Sequence, residues 1–305
     1  CADMVDKVTG GKALPDEVLT QIVAKTDGVP LFVEELTKTV LEAGFLKDTG
    51  SAYELDGPLP PLAIPATLQD PLIARLDRLS PVKEIAQIGS VIGREFSYEL
   101  LSAVSPIRDN ELTNALTELV NSELIFRRGA PPEATYTFKH ALVQDAAYES
   151  LLKSKRQQLH RAIAKTLEEK FPKVKETQPE VLAHHFVHAG LPEESIPYWR
   201  AAGQQAADRS ANSEASTLFD KALRALKDVS PTGREDLELQ LVVAKIGPLM
   251  GAQGYLGKDV QAAFSRALEL GSKTGEFQVL LPALYSKWTY HLVAGDLAGM
   301  EVIAA

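Results

Sequence analysis

Two short stretches of the chain share one pattern and indicate how its second half folds. Residues 218–223 read Leu-Phe-Asp-Lys-Ala-Leu and residues 263–268 read Ala-Phe-Ser-Arg-Ala-Leu, which repeats a Phe-x-x-Ala-Leu core 45 residues apart. Ala215, Phe219 and Ala222 also match the second helix of a tetratricopeptide repeat. In such a helix the small alanines let a paired helix approach closely, and the phenylalanine fills the groove. The pattern predicts stacked helical repeats, with an ordinary helical bundle as the alternative.

The prediction of helical repeats covers residues 151–305. After Ala141 the pattern contains only helices. Two capping boxes are predicted to start helices, Thr-Gln-Pro-Glu at 177–180 and Thr-Gly-Arg-Glu at 232–235.

The middle of the chain, residues 66–150, has the element order of a winged-helix domain. It follows residues 58–65, which contain four prolines and are predicted to be a linker. Helices are predicted at 67–79, 81–92, 98–104 and 109–122, and strands at 124–128 and 135–139. Helices followed by a two-stranded wing pack as one unit of about 80 residues, which is within the usual size of a domain.

The charge of the third long helix decides whether this winged helix is expected to bind DNA. In DNA-binding proteins of this kind the third helix normally enters the major groove. Here one basic residue, Arg108, stands against Asp109, Glu111, Glu118 and Glu123. Because phosphates repel an acidic helix, we expect no direct DNA binding by this domain.

Residues 1–57 are predicted to form a small helical domain that ends in a short hairpin. Amphipathic helices are predicted at 15–27 and 31–42. Gly28 suits a left-handed cap after the first helix, and Pro30 presets the first turn of the second.

Composition and charge exclude several classes of function. The 305 residues include 32 Lys and Arg against 41 Asp and Glu, a formal net charge of −9, and the first 150 residues carry 13 basic and 23 acidic residues. This balance repels nucleic acid and anionic lipid. Cys1 is the only cysteine, which excludes an intrachain disulfide and a cysteine zinc site. No apolar run is long enough to cross a bilayer and no signal-peptide pattern is present, so we expect a soluble, cytoplasmic protein with no membrane partner.

The two ends of the sequence favour a piece of a longer protein. The chain begins with Cys1 rather than Met, and residues 300–305 lie inside a predicted helix without a stop signal. We therefore expect some functional motifs to lie outside this chain.

Few residue groups have a spacing typical of catalysis or metal binding. Gly10-Gly11-Lys12 resembles a P-loop only superficially, because Asp6 takes the place of the first glycine and no Ser or Thr follows the lysine. His184 and His188 have the i, i+4 spacing of a metal-binding pair, with His185 between them, but no third ligand is apparent in the sequence. We therefore expect packed or surface histidines, no metal site and no catalytic centre in this chain.

Four ordered stretches of the sequence resemble one protein family. They are 26–36 (TDGVPLFVEEL), 64–70 (IPATLQD), 86–96 (AQIGSVIGREF) and 136–148 (YTFKHALVQDAAY). On these stretches the chain resembles the region that follows the nucleotide-binding core in bacterial signal-transduction ATPases with numerous domains, the STAND ATPases. It is most similar to those fused behind a class III adenylate/guanylate cyclase domain. The resemblance extends over residues 1–225, and the remainder has the pattern of generic helical repeats.

The resemblance implies a switch driven by ATP and ADP. In this family an AAA-like core with Walker motifs binds the nucleotide, a helical lid and a winged helix close on bound ADP, and tetratricopeptide repeats sense a partner. The resemblance implies that ATP or ADP binds mostly to residues outside this chain. It also implies nucleotide contacts for Gly28 and Pro30, which form a Gly-x-Pro motif beside the adenine, and for His140 near the ADP phosphate. The family's Met-His-Asp motif is Lys139-His140-Ala141 here, so a histidine that only caps the following helix is the alternative.

The expected fold is mainly α, and the expected function is regulatory. The chain would consist of three parts. They are a lid remnant at 1–57, a winged helix with a small β-hairpin at 66–150 and a tetratricopeptide-like solenoid at 151–305. The repeats would bind an unknown protein partner, and the lid and winged helix would pass the nucleotide state to an upstream output such as a class III cyclase. The chain itself would be noncatalytic. The alternatives are part of an ATPase-type transcriptional regulator with its DNA-binding domain outside this chain, and a plain tetratricopeptide interaction scaffold.

Overall fold

The structure is a computed structural model that describes residues 2–26, 29–57, 76–77, 82–228, 233–275 and 277–304. The mainly α fold expected from the sequence is confirmed, and the described residues also form two small antiparallel sheets. The chain divides into two compact units, Cys1–Leu152 and Lys153–Ala305. Within the described ranges, no helix combines the length and the apolar character needed to cross a membrane.

The first unit begins with a small helical region and continues as helices with a three-stranded sheet. Its described helices are α1 (Ala2–Val8), α2 (Asp16–Thr26), α3 (Pro30–Glu42), α4 (Val82–Ile92), α5 (Tyr98–Val104), α6 (Asp109–Asn121) and α7 (Ala141–Glu149). Its described strands are β1 (Leu46–Asp48), β2 (Tyr53–Leu55), β3 (Glu95–Ser97), β4 (Ile125–Arg128) and β5 (Thr135–Phe138).

The second unit is helical throughout the part that the structure describes. Its helices are α8 (Lys153–Lys170), α9 (Pro172–Thr177), α10 (Pro179–His188), α11 (Pro192–Asp208), α12 (Asn212–Leu226), α13 (Arg234–Gln253), α14 (Lys258–Thr274), α15 (Phe277–Ala294) and α16 (Leu297–Ala304). From α10 onward each helix packs on the next, and the alternate helices α11, α13 and α15 also contact in turn. Contacts between neighbours in sequence are typical of a helical solenoid.

The small helical region packs α1, α2 and α3 around one apolar core. The buried members of this core are Val5, Val18, Ile22, Val33, Leu36 and Val40. Val18 and Ile22 lie one turn apart on the buried face of α2, whereas Val23 is 41% exposed. Val23 directly follows Ile22 and is therefore turned by about 100° around the helix. The predicted hairpin is present, with Leu46 of β1 opposite Leu55 of β2.

Several predicted features lie outside the described residues. They are Gly28, the linker at 58–65, and all of the helix predicted at 67–79 except Leu76 and Asp77. The left-handed cap at Gly28 therefore stays a prediction.

The remaining elements of the first unit have the winged-helix order, with one strand that the sequence pattern missed. β4 and β5 form the predicted hairpin, and β3 pairs with the other edge of β5, so the strand order is β3-β5-β4. β3 is short because Ser97 at its end is the N-cap of α5 and accepts a hydrogen bond from the Leu100 amide. A strand of three residues is too short to show the alternation that identifies strands in a sequence.

A close contact between α4 and β3 explains a glycine of the winged-helix region. Phe96 is 3% exposed, and its ring stacks on Tyr136 with the centroids 5.8 Å apart. A Cβ atom at Gly89 would lie 2.8 Å from the Phe96 ring. Helix α4 therefore requires glycine where Phe96 packs against it.

The repeated Phe-x-x-Ala-Leu pattern marks equivalent positions in α12 and α14. Phe219 and Phe264 are buried, as are Ala222 and Ala267 three residues after them. Phe219 packs against Gly203 of α11, where an added Cβ atom would lie 3.0 Å from the ring. The phenylalanine thus fills the space beside a small residue of the paired helix, as the repeat pattern predicts.

The first predicted capping box does not cap a helix in the expected way, and the second is only partly within the described residues. Helix α10 begins at Pro179 with Gln178 as its N-cap, and Thr177 is instead the last residue of α9. The Thr177 hydroxyl donates to a carbonyl of its own helix at 2.8 Å, while proline in the first turn sets the start of α10. Thr232 of the second box lies outside the described residues, and α13 follows Gly233.

Candidate functional site at the lid and winged-helix junction

An ion-pair network connects α3 of the small helical region to the winged-helix region of the same unit. Lys139, which follows β5, bonds the Glu34 carboxylate at 2.8 Å, and its Nζ atom lies 3.3 Å from Glu123. The Nζ atom of Lys38 lies 2.9 Å from Glu34, and Lys38 also pairs with Glu123. Each lysine therefore contacts both carboxylates. We name Glu34, Lys38, Glu123 and Lys139 the lysine–glutamate square.

Local backbone structure holds the four side chains of the square together. Glu34 and Lys38 are one turn apart on the same face of α3. Glu123 follows α6 with a φ of 55°, a left-handed conformation that turns the chain from the helix toward β4. The amide of Lys139 donates to the Leu124 carbonyl at 3.0 Å, which fixes Lys139 at the end of the β4–β5 hairpin.

The square is partly screened from solvent and lowers the pKa values of its acids. The side chains of Lys38 and Lys139 are each 18% exposed, Glu34 is 24% exposed and Glu123 is 56% exposed. The hydrogen bond from Lys139, assisted by Lys38, lowers the pKa of Glu34 to about 2. Lys38 lowers the pKa of Glu123. Burial opposes the charge of Lys38, but Glu123 and Glu34 outweigh it and raise the pKa of Lys38. Both glutamates are therefore charged at neutral pH.

The square lines a cavity of about 340 Å³ whose other walls come from α1 and the residues beside it. These walls are Met4, Lys7 and Val8. Three lysines and two glutamates give the cavity a net charge of +1, in a unit with many more acidic than basic residues. Lysine ammonium groups bind phosphate as point charges. The cavity can therefore accept an anionic group that competes with the glutamates for the lysines.

His140 lies beside the square. It is the N-cap residue of α7, the position that the alternative prediction gave it, but its side chain makes no capping hydrogen bond. Its Nε2 atom is buried and has no hydrogen-bond partner among the described residues. One ligand-type atom each of His140, Glu34 and Glu35 lie within 4.8 Å of one another. His140 thus has an unused polar atom next to a carboxylate of the square.

The group of His140, Glu34 and Glu35 is a poor candidate for a metal centre despite its short distances. Two lysines already bond Glu34. Glu35 is 2% exposed and has an interaction of its own. A divalent cation would have to displace the two lysine ammonium groups that already bond the Glu34 carboxylate. The local charge therefore favours an anionic ligand over a cation.

Two of the three predicted nucleotide contacts lie close to Glu34. Pro30 is the exposed first residue of α3, and Glu34 lies one turn further along the same helix. His140 has a ring nitrogen within 4.8 Å of a Glu34 carboxylate oxygen. Gly28 lies outside the described residues, so its position relative to this site stays a prediction.

The lysine–glutamate square is the part of the site that sequence reasoning missed. The i, i+4 spacing of Glu34 and Lys38 and the position of Lys139 before His140 are visible signals. Neither signal shows that Glu123, which is 85 residues from Lys38, completes the square. The ion pairs of Lys38 and Lys139 across the fold bring them together.

The face of α6 that would approach DNA is acidic in the described side chains. Glu111 and Glu118 are exposed, and the helix contains no lysine or arginine. Phosphates would be repelled by such a face. The absence of direct DNA binding by this domain stays a prediction with this face as its physical basis.

A second candidate site is a groove between α11 and α13 in the second unit. Its volume is about 630 Å³, and much of its lining is apolar. The lining includes Ile196, Ala201, Leu237, Leu241, Arg200 and Gln240. Arg200 of α11 donates a hydrogen bond to Gln240 of α13 at 2.8 Å. A groove that combines apolar and polar groups in this way can accept a peptide segment.

Comparison with known proteins identifies a relative but no family. No protein-family profile matches this chain. An uncharacterized protein of Rhizobium meliloti (strain 1021) is 29% identical over 248 residues, which are 81% of this chain and 24% of that protein. The chain thus matches about a quarter of the length of this much larger relative.

Proposed function

We propose that this chain is the regulatory part of a multidomain signalling protein that switches between ATP-bound and ADP-bound states. The observation that carries the proposal is the lysine–glutamate square, which connects the lid helix α3 to the winged helix beside His140. The four stretches that resemble STAND ATPases support it independently. The match to one quarter of a larger relative is compatible with a role inside a multidomain protein.

The switch works by exchange of partners at the square. Without a nucleotide phosphate, Lys38 and Lys139 are neutralised by Glu34 and Glu123. A phosphate of bound ADP competes for the same ammonium groups and accepts a hydrogen bond from His140, whose Nε2 atom has no other described partner. The exchange changes how α3 is held against the winged helix, and this change is the signal.

The helical repeats supply the input to this switch. The groove between α11 and α13 binds a segment of a protein partner, with its apolar lining for side chains and Arg200 and Gln240 for polar groups. Partner binding then biases the nucleotide state of the upstream core. The chain itself is noncatalytic, and the protein acts in the cytoplasm.

The output of the switch is a domain outside this chain. The resemblance favours a class III adenylate or guanylate cyclase upstream of Cys1. A transcriptional regulator with a separate DNA-binding domain is the second candidate, because the acidic face of α6 makes the winged helix itself unsuited to DNA.

Nucleotide titration tests the proposed switch. The titration uses a protein extended to include the residues before Cys1, with ATP and ADP added separately. We expect Lys139→Met and His140→Ala to weaken ADP binding by about tenfold, the effect of losing one charge-assisted hydrogen bond. Pro30→Ala should weaken the binding of both ATP and ADP if Pro30 contacts the adenine.

Lys12→Met is the matched control for the lysine substitution. Lys12 also forms an ion pair in the small helical region, with Asp48 at 2.6 Å, but it is not part of the square. Its loss should leave nucleotide affinity unchanged. Equal ADP affinity in Lys139→Met, His140→Ala and the unsubstituted protein would contradict the proposal, as would ATP hydrolysis by the 305-residue chain alone.

A further inference from the structure

Four of the six histidines of the chain converge at one place in the second unit. His160 of α8 faces His184, His185 and His188 of α10, and the five recorded distances between their ring centroids run from 4.0 to 5.9 Å. His160 and His185 are each 2% exposed, with their Nδ1 atoms 2.8 Å apart. His184 and His188 are exposed and line a surface cavity of about 340 Å³. We name these four residues the histidine cluster.

Packing alone does not explain the histidine cluster. Apolar side chains of similar volume would fill a helix contact at least as well as buried imidazoles. The charged groups that face the cluster are mostly cationic in the described residues. They are Arg156 of α8, Lys221 and Arg224 of α12, and Asp228, which follows α12. Burial is the main reason that the pKa values of His160 and His185 are each lowered to about 3, so both rings are neutral at physiological pH.

We propose that the histidine cluster binds one divalent transition-metal ion of the zinc, nickel or copper type, held by His160 and His185 from the helix contact and by His184 or His188 from the surface. Neutral imidazole is a preferred ligand for each of these ions. The two exposed members give the ion a route from solvent.

The spacing of the rings fits a shared ion after small side-chain movements. With zinc–nitrogen bonds of about 2.0 Å and tetrahedral angles, two bound imidazoles have centroids about 5.2 Å apart. The centroids of His160 and His185, and of His160 and His188, are 5.0 Å apart. The Nδ1 atoms of His160 and His185, at 2.8 Å, would separate by about 0.5 Å. In the described residues, three ligand atoms lie within 4.8 Å of one another only at Glu34, Glu35 and His140, so an ion in the histidine cluster requires the rings to rotate first.

A hydrogen bond between His188 and the backbone of its own helix also suits metal binding. The Nδ1 atom of His188 lies 2.9 Å from the backbone carbonyl of His184. A carbonyl only accepts, so Nδ1 carries the proton and Nε2 is left with its lone pair. Metal-binding histidines usually donate their second ring nitrogen to such a carbonyl or carboxylate. His188 is therefore already in the tautomer that a ligand through Nε2 requires.

Calorimetric titration of the whole chain with zinc chloride tests the proposal. We expect one ion per chain, and we expect zinc at about 100 times its dissociation constant to raise the melting temperature of the second unit by about 5 °C. The double variant His184→Gln/His188→Gln should lower zinc affinity by about tenfold or more. His291→Gln is the matched control, because His291 lies in α15 and bonds Asp296 rather than the cluster. It should bind zinc as the unsubstituted chain does.

His160→Gln separates the proposed site from a simple surface pair. His184 and His188 alone would bind an ion without help from α8, so this variant would then keep full affinity. The proposal expects about tenfold weaker binding. If His160→Gln does not fold by circular dichroism, the imidazole nitrogen resonances of the unsubstituted chain decide. Shifts of His160 and His185 with one equivalent of zinc support the site. Absence of binding, full affinity in His160→Gln, or shifts confined to His184 and His188 would overturn it.

Discussion

The lysine–glutamate square and the histidine cluster each gather four titratable side chains, but they do so in different states of charge. In the square, each cation contacts both carboxylates, and Glu123 is 56% exposed. In the cluster, His160 and His185 are almost fully buried and face mostly cations. Exposed ion pairs contribute little to stability and can exchange partners. Buried neutral groups are stable in the folded protein only while they stay neutral, because burial disfavours their charged form. The first region is therefore suited to switching, whereas the second presents the two neutral imidazoles of His160 and His185 that the proposed metal site requires.

The largest expected effect tests whether the second unit is held by buried apolar contacts. Phe219 is fully buried against α11. We expect Phe219→Ala to lower the free energy of unfolding by about 3–5 kcal/mol, because it leaves a cavity between two helices. Urea denaturation followed by circular dichroism measures the change. Phe126→Ala is the control, since Phe126 is 56% exposed on β4 and its loss should change stability by about 0.5 kcal/mol or less. Equal effects of the two substitutions would show that α12 is not a core helix.

The next effect separates the two regions by their pH dependence. His160 and His185 have folded pKa values of about 3, below the ordinary value of 6.5. Because the folded pKa values are lowered, the contribution of these two histidines to the free energy of unfolding is fully present above pH 6.5. It is lost as the pH falls from 6.5 toward 3. Glu34, with a pKa lowered from 4.5 to about 2, loses its contribution only below about pH 4.5. Acid should therefore weaken the second unit before it weakens the square.

Urea denaturation at pH 7 and pH 5, with EDTA present, measures this difference. We expect the second unit to lose about 2 kcal/mol or more over this range, from 1.36 kcal/mol for each pH unit and histidine. In His160→Gln the loss between pH 7 and pH 5 should become smaller, because one proton-binding site is gone. A free energy of unfolding that stays constant between these pH values would mean that the two buried rings bind protons as readily in the folded protein as in the unfolded chain.

A smaller effect tests how closely the helices of the repeat approach. The ring of Phe219 would lie 3.0 Å from a Cβ atom at Gly203. Gly203→Val should lower the free energy of unfolding by about 2 kcal/mol, because the extra carbons overfill a packed contact. Ala201 lies in the same helix α11 and is exposed. Ala201→Val adds a branched side chain outside the packed contact and should therefore change stability by about 0.5 kcal/mol or less. Destabilisation by both variants to the same extent would mean that helix propensity, not packing, sets the effect.

The features that sequence patterns predict are local ones. The Phe-x-x-Ala-Leu repeat, the buried face of α3 and the hairpin of β4 and β5 each depend on residues close together in the chain, and the structure has all of them. The misses also have local causes. β3 is too short to alternate, and Thr177 has the residue type of an N-cap but ends the preceding helix, because Pro179 starts α10.

The lysine–glutamate square and the histidine cluster could not be predicted from the sequence, because their residues come together through contacts that no local pattern contains. His160 is 24 residues before His184, and a third ligand for His184 and His188 becomes visible only when α8 packs on α10. Lys38 and Glu123 are separated by 85 residues and by a stretch that includes the linker. Sequence reasoning identified His140 and Pro30 through the family resemblance, but the charged partners around them follow from tertiary packing.

The smallest expected effect concerns the lysine–glutamate square and decides whether it acts as a switch or as a clamp. Glu34→Gln, Lys139→Met and the double variant form a double-mutant cycle, measured by urea denaturation at neutral pH. We expect a coupling energy of about 0.5–1 kcal/mol, the usual range for a partly exposed ion pair. So small a coupling lets an anionic ligand replace Glu34 as the partner of Lys139 without unfolding the unit. A coupling above about 3 kcal/mol is typical of a buried pair whose separation leaves an uncompensated charge. In that case Lys139 could not leave Glu34 for a phosphate, and the exchange proposed for the square would not occur.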